Sequence, residues 1–197
     1  MREVSRYHPA LAALHWLLAV LIVAALALGA LVMAKLPNND PMKMEALRSH
    51  MAGGALILFL MLARLVLRAR TTHPAAAATG SALLDKVAWV SHRMFYSLVI
   101  AMAATGTVLA VQAHLFDVLF GGHGALPPDL WIYPVRTLHY VVSRVLVVLI
   151  ALHIAGALYH AFFLRDGLLR RMGFGKRTLA PAPVVPDLTR PVAKVQS

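Results

Sequence analysis

LHYVVSRVLVVLIALHIAGALYHAFFL, residues 138–164, decides the fold. The run is long enough to cross a hydrocarbon core of ~30 Å, which takes ~20 residues of helix. Lipid offers the backbone no hydrogen-bond partner, so a run of this length is helical. Yet it contains His139, Arg144, His153 and His160. Ionisable side chains at membrane depth are costly and mark functional positions. His139 and His153 are fourteen residues apart. That spacing falls ~40° short of four full turns, so both rings leave one helix face, ~21 Å apart along the axis. One helix therefore offers an imidazole at each of two depths.

Three further apolar runs lie upstream. Leu11–Ala34 is broken by His15 and Trp16, Met51–Leu67 by Arg64, and Val87–Val111 is bordered by His92, Arg93 and Gln112. No period-two pattern appears. The 197 residues are 60% hydrophobic and 14% charged, well away from the ~25% charged content of soluble domains. The sequence therefore predicts an all-α, integral membrane four-helix bundle. The first run is too long for a removable signal peptide and lacks a small-residue cleavage site, so it reads as a retained helix. A formal charge of +11 invites a nucleic-acid reading. The basic residues flank apolar runs and form no basic face, so no nucleic-acid partner is expected. The absence of Cys excludes disulfides, iron–sulfur clusters, Cys-bound zinc and covalently attached haem.

Basic residues set the topology. Arg2 and Arg6, then Arg64, Arg68, Arg70, Lys86 and Arg93, then Arg165, Arg170, Arg171, Lys176 and Arg177 collect on one side. The positive-inside rule makes that side, with both termini, cytoplasmic. Pro37-Asn38-Asn39-Asp40-Pro41 is then an outer turn and Thr71–Ser81 an inner loop. His114–Arg136 is a longer outer segment, expected to lie over the mouth of the bundle with Trp131 and Tyr133 at the interface. The division is a transmembrane domain over 1–179 and a disordered cytoplasmic tail over 180–197, rich in proline.

With antiparallel helices, His15 and His92 lie near the inner face and His50 near the outer. At the outer level His139 faces His50; at the inner level His153 faces His15. Two bis-imidazole sites, one per leaflet, are what two stacked haem b groups need, with His15, His50, His139 and His153 on the irons. Gly29 and Gly106 follow His15 and His92 by fourteen residues, at the outer level. There they let a bulky partner approach the backbone, as do Gly53, Gly54 and Gly156 beside His50 and His153. Arg64, fourteen residues after His50, brings a guanidinium to the inner level for a haem propionate. His160 competes with His153 as the inner ligand. His153 is preferred because His139 to His160 would span ~31 Å, more than the core. His92 and His160 lie near the inner level with no iron assigned to them, free to bond a propionate or a facing helix. His8, His73, His114 and His123 fall in loops and read as solvated.

These motifs resemble a known family. They are His15-Trp16, Arg48-Ser49-His50 before Gly53-Gly54, and Arg64 to Arg68. They continue with Ser91-His92-Arg93-Met94-Phe95-Tyr96, then His139, His153 and Tyr159-His160, then Arg165-Asp166-Gly167-Leu168-Leu169-Arg170-Arg171-Met172. From about Tyr7 to Arg177 the chain resembles the bacterial cytochrome b561 family, di-haem cytochromes of the inner membrane. The resemblance implies two haem b groups and exchange with ubiquinone or menaquinone, placing the quinone near His92 and His160. Some members oxidise superoxide outside and reduce ubiquinone. Others serve as haem-carrying anchors of dehydrogenases or hydrogenases.

The function expected is electron transfer from an outer donor, with superoxide a candidate, to the quinone pool, without acid, base or nucleophile chemistry. Such a protein would be a superoxide:quinone oxidoreductase. Lys35, Lys43, Arg48, Arg136 and Arg144 are read as a cationic funnel for that anion. A haem-binding anchor subunit is the second reading. A cofactor-free proton or metal transporter is the third, weakened by the lack of acidic residues in the spans.

Overall fold

A computed structural model of the chain describes residues 4–75, 79–176 and 178. The prolonged apolar runs form helices, each opened by a residue suited to the task. Helix α1, Pro9–Ala27, starts with proline at a position whose N–H would be unpaired anyway. It passes into a π-helical segment, Leu28–Met33. Helix α2, Pro41–Arg70, is capped by Asp40, whose Oδ1 accepts from the Met42 N–H at 2.8 Å. Helix α3 covers Ala82–Gln112, α4 is the short Leu115–Leu119, and α5 runs Pro134–Tyr159. Helix α5 also ends in a π-helical turn, His160–Leu164, followed by the short α6, Leu168–Arg171. Four of these helices, with their π extensions, are long and apolar enough to cross a membrane. The chain is a multi-pass membrane protein.

Helix α2 begins ten residues before the apolar run does. Its first turns are amphipathic: Ala46 and Leu47 are buried while Met42 and Glu45 are exposed. At 1.5 Å per residue α2 is ~45 Å long, longer than a hydrocarbon core. His50 thus stays at the outer margin of the apolar part although it is not the first residue of its helix.

Packing explains where a cofactor can go. Helix α1 lies along α2, and α3 along α5, in two layers. Between the layers the closest backbone approach is that of α2 to α3, and α5 makes no comparable approach to α1 or α2. Midway along the seam an apolar layer closes it: Leu18, Ile57, Met61, Val99 and Leu146 are buried together. Ile57, Val99 and Leu146 each lie seven residues, two turns, from a histidine of their own helix, His50, His92 and His139. The outward faces carry exposed Phe59, Leu152, Phe162 and Phe163, a surface suited to lipid.

The segment after α3 does more than lie over the mouth. Leu115, Val118, Leu119 and Leu130 are buried with Leu47, Ala110 and Ala113, forming a second core against the projecting part of α2. At the opposite end the segment before α1 and the start of α1 meet α6. The Tyr7 N–H donates to the Arg171 carbonyl at 3.1 Å, and Trp16 Nε1 donates to the Met172 carbonyl at 3.0 Å. The tail over 180–197 lies outside the described residues.

Candidate functional site

The histidines pair as their depths require. His50 on α2 and His139 on α5 have ring centroids 6.2 Å apart. His15 on α1 and His153 on α5 have centroids 6.2 Å apart as well. A first-row metal between two imidazole nitrogens at ~2.0 Å each gives almost this separation, once about 1.1 Å from nitrogen to ring centre is added per side. Among the described residues no three His, Asp or Glu side chains converge on one point. A bare ion would be poorly held. Two imidazoles per site suit a metal that brings its remaining ligands with it, as haem iron does.

The tautomer of His139 is fixed by its surroundings. Thr105 Oγ1 donates to the Ala101 carbonyl at 2.7 Å and lies 2.9 Å from His139 Nδ1. The hydroxyl has one proton, so it accepts from His139 Nδ1–H, and Nε2 keeps its lone pair for a metal. Gly106, the next residue, leaves room for this ring: a Cβ there would stand 3.2 Å from His139 Cε1. Across the seam, a Cβ on Gly29 would reach His50 Cε1 at 3.9 Å. Of the two glycines read from the fourteen-residue spacing, Gly106 thus makes close room for an imidazole ring, whereas at Gly29 a Cβ would meet His50 at ordinary contact distance. Around Gly53, Gly54 and Gly156 there is open space.

Two buried side-chain polar atoms among the described residues have no hydrogen-bond partner, His50 Nδ1 and Arg64 Nε. Both belong to the sites read from the sequence: His50 Nδ1 is directed towards the Ala25 carbonyl, and the unpaired Arg64 Nε fits a group that brings carboxylate oxygens of its own. Arg64 donates through Nη1 to Tyr96 Oη and lies over that ring. Its guanidinium is thus held at the inner level, where a haem propionate would need it.

His92 also belongs to the inner cluster. Its ring lies 5.7 Å from that of His153, and its Nδ1 donates to the Ala88 carbonyl at 2.6 Å. Phe95, one turn further along α3, packs against His153 at 5.2 Å. His160 is placed differently. It is buried, opens the π-helical turn, and its Nδ1 is 2.6 Å from Asp166 Oδ2. Its ring neighbour is Tyr159. Sequence reasoning missed Thr105, Tyr96 and Asp166. Thr105 carried a signal, being a polar residue beside Gly106 at the depth of His139.

The family model for prokaryotic cytochrome b561 matches residues 6–175. The chain belongs to the prokaryotic cytochrome b561 family. It is therefore a haem-b membrane electron-transfer protein. In this cytochrome the cations at the His50 end of the bundle are largely tied down. Arg48 Nε donates to the Leu119 carbonyl at 2.6 Å, and Lys43 Nζ to the Leu36 carbonyl at 2.7 Å. Arg136 covers the Trp131 ring at 4.3 Å and Arg144 the Tyr140 ring at 4.7 Å. Lys43, Arg48 and Arg136 thus form a basic rim, while Arg144, ten residues into α5, lies deeper than His139. Of the loop histidines read as solvated, His8 caps α1, accepting from the Ala10 N–H at 3.3 Å, and His73 stacks on Tyr7.

Proposed function

We propose that this cytochrome carries electrons across the bacterial inner membrane, from a donor on the outer side to the quinone pool. His50 and His139 hold one haem b, and His15 and His153 the other. The observation that carries the reading is the equal 6.2 Å separation of two imidazole pairs at two levels of one helix. Bound haem supplies reversible one-electron chemistry. The chain's own residues do the rest. Thr105 keeps His139 Nε2 directed to metal, Arg64 neutralises carboxylates at the inner level, and the apolar layer around Leu146 keeps water out of the seam.

The quinone belongs at the inner level, beside His92 and His160. With Nδ1 of each ring committed to Ala88 or Asp166, Nε2 remains to bond a quinone oxygen or hand it a proton. Superoxide remains the candidate donor, because the basic rim favours a small anion.

The test is a pyridine haemochrome assay on purified wild type and two variants. Wild type is expected to carry two haems per chain, His153→Ala one, and His160→Ala two with impaired quinone reduction. Two haems in His153→Ala with one in His160→Ala would reverse the inner assignment. A colourless wild type would remove the redox reading altogether.

A further inference from the structure

Where the segment before α1 meets α6, a cavity of about 240 Å³ is lined by Ser5, Arg6, Asp166, Gly167, Arg170 and Arg171. Three arginines thus share the lining with one carboxylate. That carboxylate is already occupied: Asp166 Oδ2 lies on His160 Nδ1 at 2.6 Å, and Oδ1 accepts from the Leu168 N–H at 2.9 Å. The wall is fixed by Arg6, whose Nη1 donates to the Arg170 carbonyl at 2.8 Å. Arg171 Nη1 is anchored on the Ala75 carbonyl at 2.9 Å. The cavity is therefore a built, net-cationic concavity.

Its depth and its flanks say what it meets. Arg6 precedes the start of the first span at Pro9 by three residues, and Asp166 follows the end of the last span at Leu164 by two. This is the headgroup layer. Beside the arginines, Leu169 and Phe174 expose 45% and 67% of their surface. Aqueous loops rarely display such a pair next to charge, whereas a segment lying in the interface does. Guanidinium forks match phosphate oxygens two at a time.

We propose that this cleft binds the phosphate group of an anionic phospholipid, held by Arg170 and Arg171 with Arg6 behind them, and with acyl chains lying over Leu169 and Phe174. The site requires neither the haem nor the quinone assignment.

The experiment uses the full chain in nanodiscs of equal phosphatidylglycerol and phosphatidylcholine with matched acyl chains, and counts retained lipids by native mass spectrometry. Wild type should retain phosphatidylglycerol preferentially. In Arg170→Gln/Arg171→Gln that preference should fall about tenfold. Arg68→Gln/Arg70→Gln removes the same charge at the end of α2 and should leave the preference intact. Thermal unfolding of each variant identifies any that fail to fold. If Arg170→Gln/Arg171→Gln does fail, Arg170→Lys/Arg171→Lys replaces it, with a smaller loss of preference expected. Equal retention of both lipids by wild type overturns the proposal, and so does an equal loss from both double glutamine variants. Displacement of the lipid by millimolar inorganic phosphate would overturn the lipid source, leaving a site for free phosphate.

Discussion

His139 shows how much rests on single side chains. Its Nδ1 proton is accepted by Thr105, and its ring packs so close to Gly106 that a Cβ there would stand at a tight 3.2 Å. Replacing Thr105 by Val strands a buried donor, a cost of about 1–3 kcal/mol. Outer-haem affinity is expected to fall ~10–100-fold, as when a hydrogen bond behind a metal ligand is lost. Haem titration of the apoprotein measures it. Replacing Gly106 by Val overpacks the same ring, at about 1–3 kcal/mol. Redox titration should then show an altered high- or low-potential component while the other stays in place. The sequence declared His139, His153 and Gly106 because an ionisable or small residue stands out in an apolar run. Thr105 and Asp166 were obscure because polar residues at such places ordinarily bond their own backbone, and only the fold shows which facing group they serve.

At the level of elements, the junction of α5 and α6 concentrates the most interactions that the sequence did not disclose. A π-helical turn has no apolar signature distinct from an α-helix, so the rotation that joins His160 to Asp166 could not be read from spacing. Partial desolvation works to raise the Asp166 carboxyl, but the hydrogen bonds from His160 and Leu168, with Arg171 nearby, outweigh it and hold the group below its ordinary value of 3.8. The folded chain therefore binds the proton less readily than the unfolded one. The resulting stability is complete above pH 3.8 and lost as pH falls through the lowered value. Asp166→Asn should unfold at a temperature less sensitive to acid below about pH 4, measured by circular dichroism in detergent. Helix α2 teaches a related lesson. Its apolar run marked the part in lipid, whereas its true start was set by the Asp40 cap and by burial of Leu47 against α4.

For the molecule as a whole, the all-helical bundle and the four spans were legible, because membrane burial leaves long apolar runs few alternatives. The two-layer arrangement was not, since helices of similar composition give no sign of which neighbours they prefer. The orientation proposed from basic residues has a direct check. The chain has no Cys, so single replacements Ser5→Cys and His123→Cys can be labelled with a membrane-impermeant maleimide. On right-side-out spheroplasts the residue-123 variant should label and the residue-5 variant should not; the opposite pattern would invert the topology.

The two layers carry one more implication. The pair α1–α2 and the pair α3–α5 each pack closely, but they lean on one another chiefly where α2 passes α3. A newly inserted polypeptide thus joins its halves through the layer around Leu146 and the core under α4, and pigment on either side of that layer would act as added mortar. Starving cells of iron should then lower the melting temperature of the protein they make without preventing its folding.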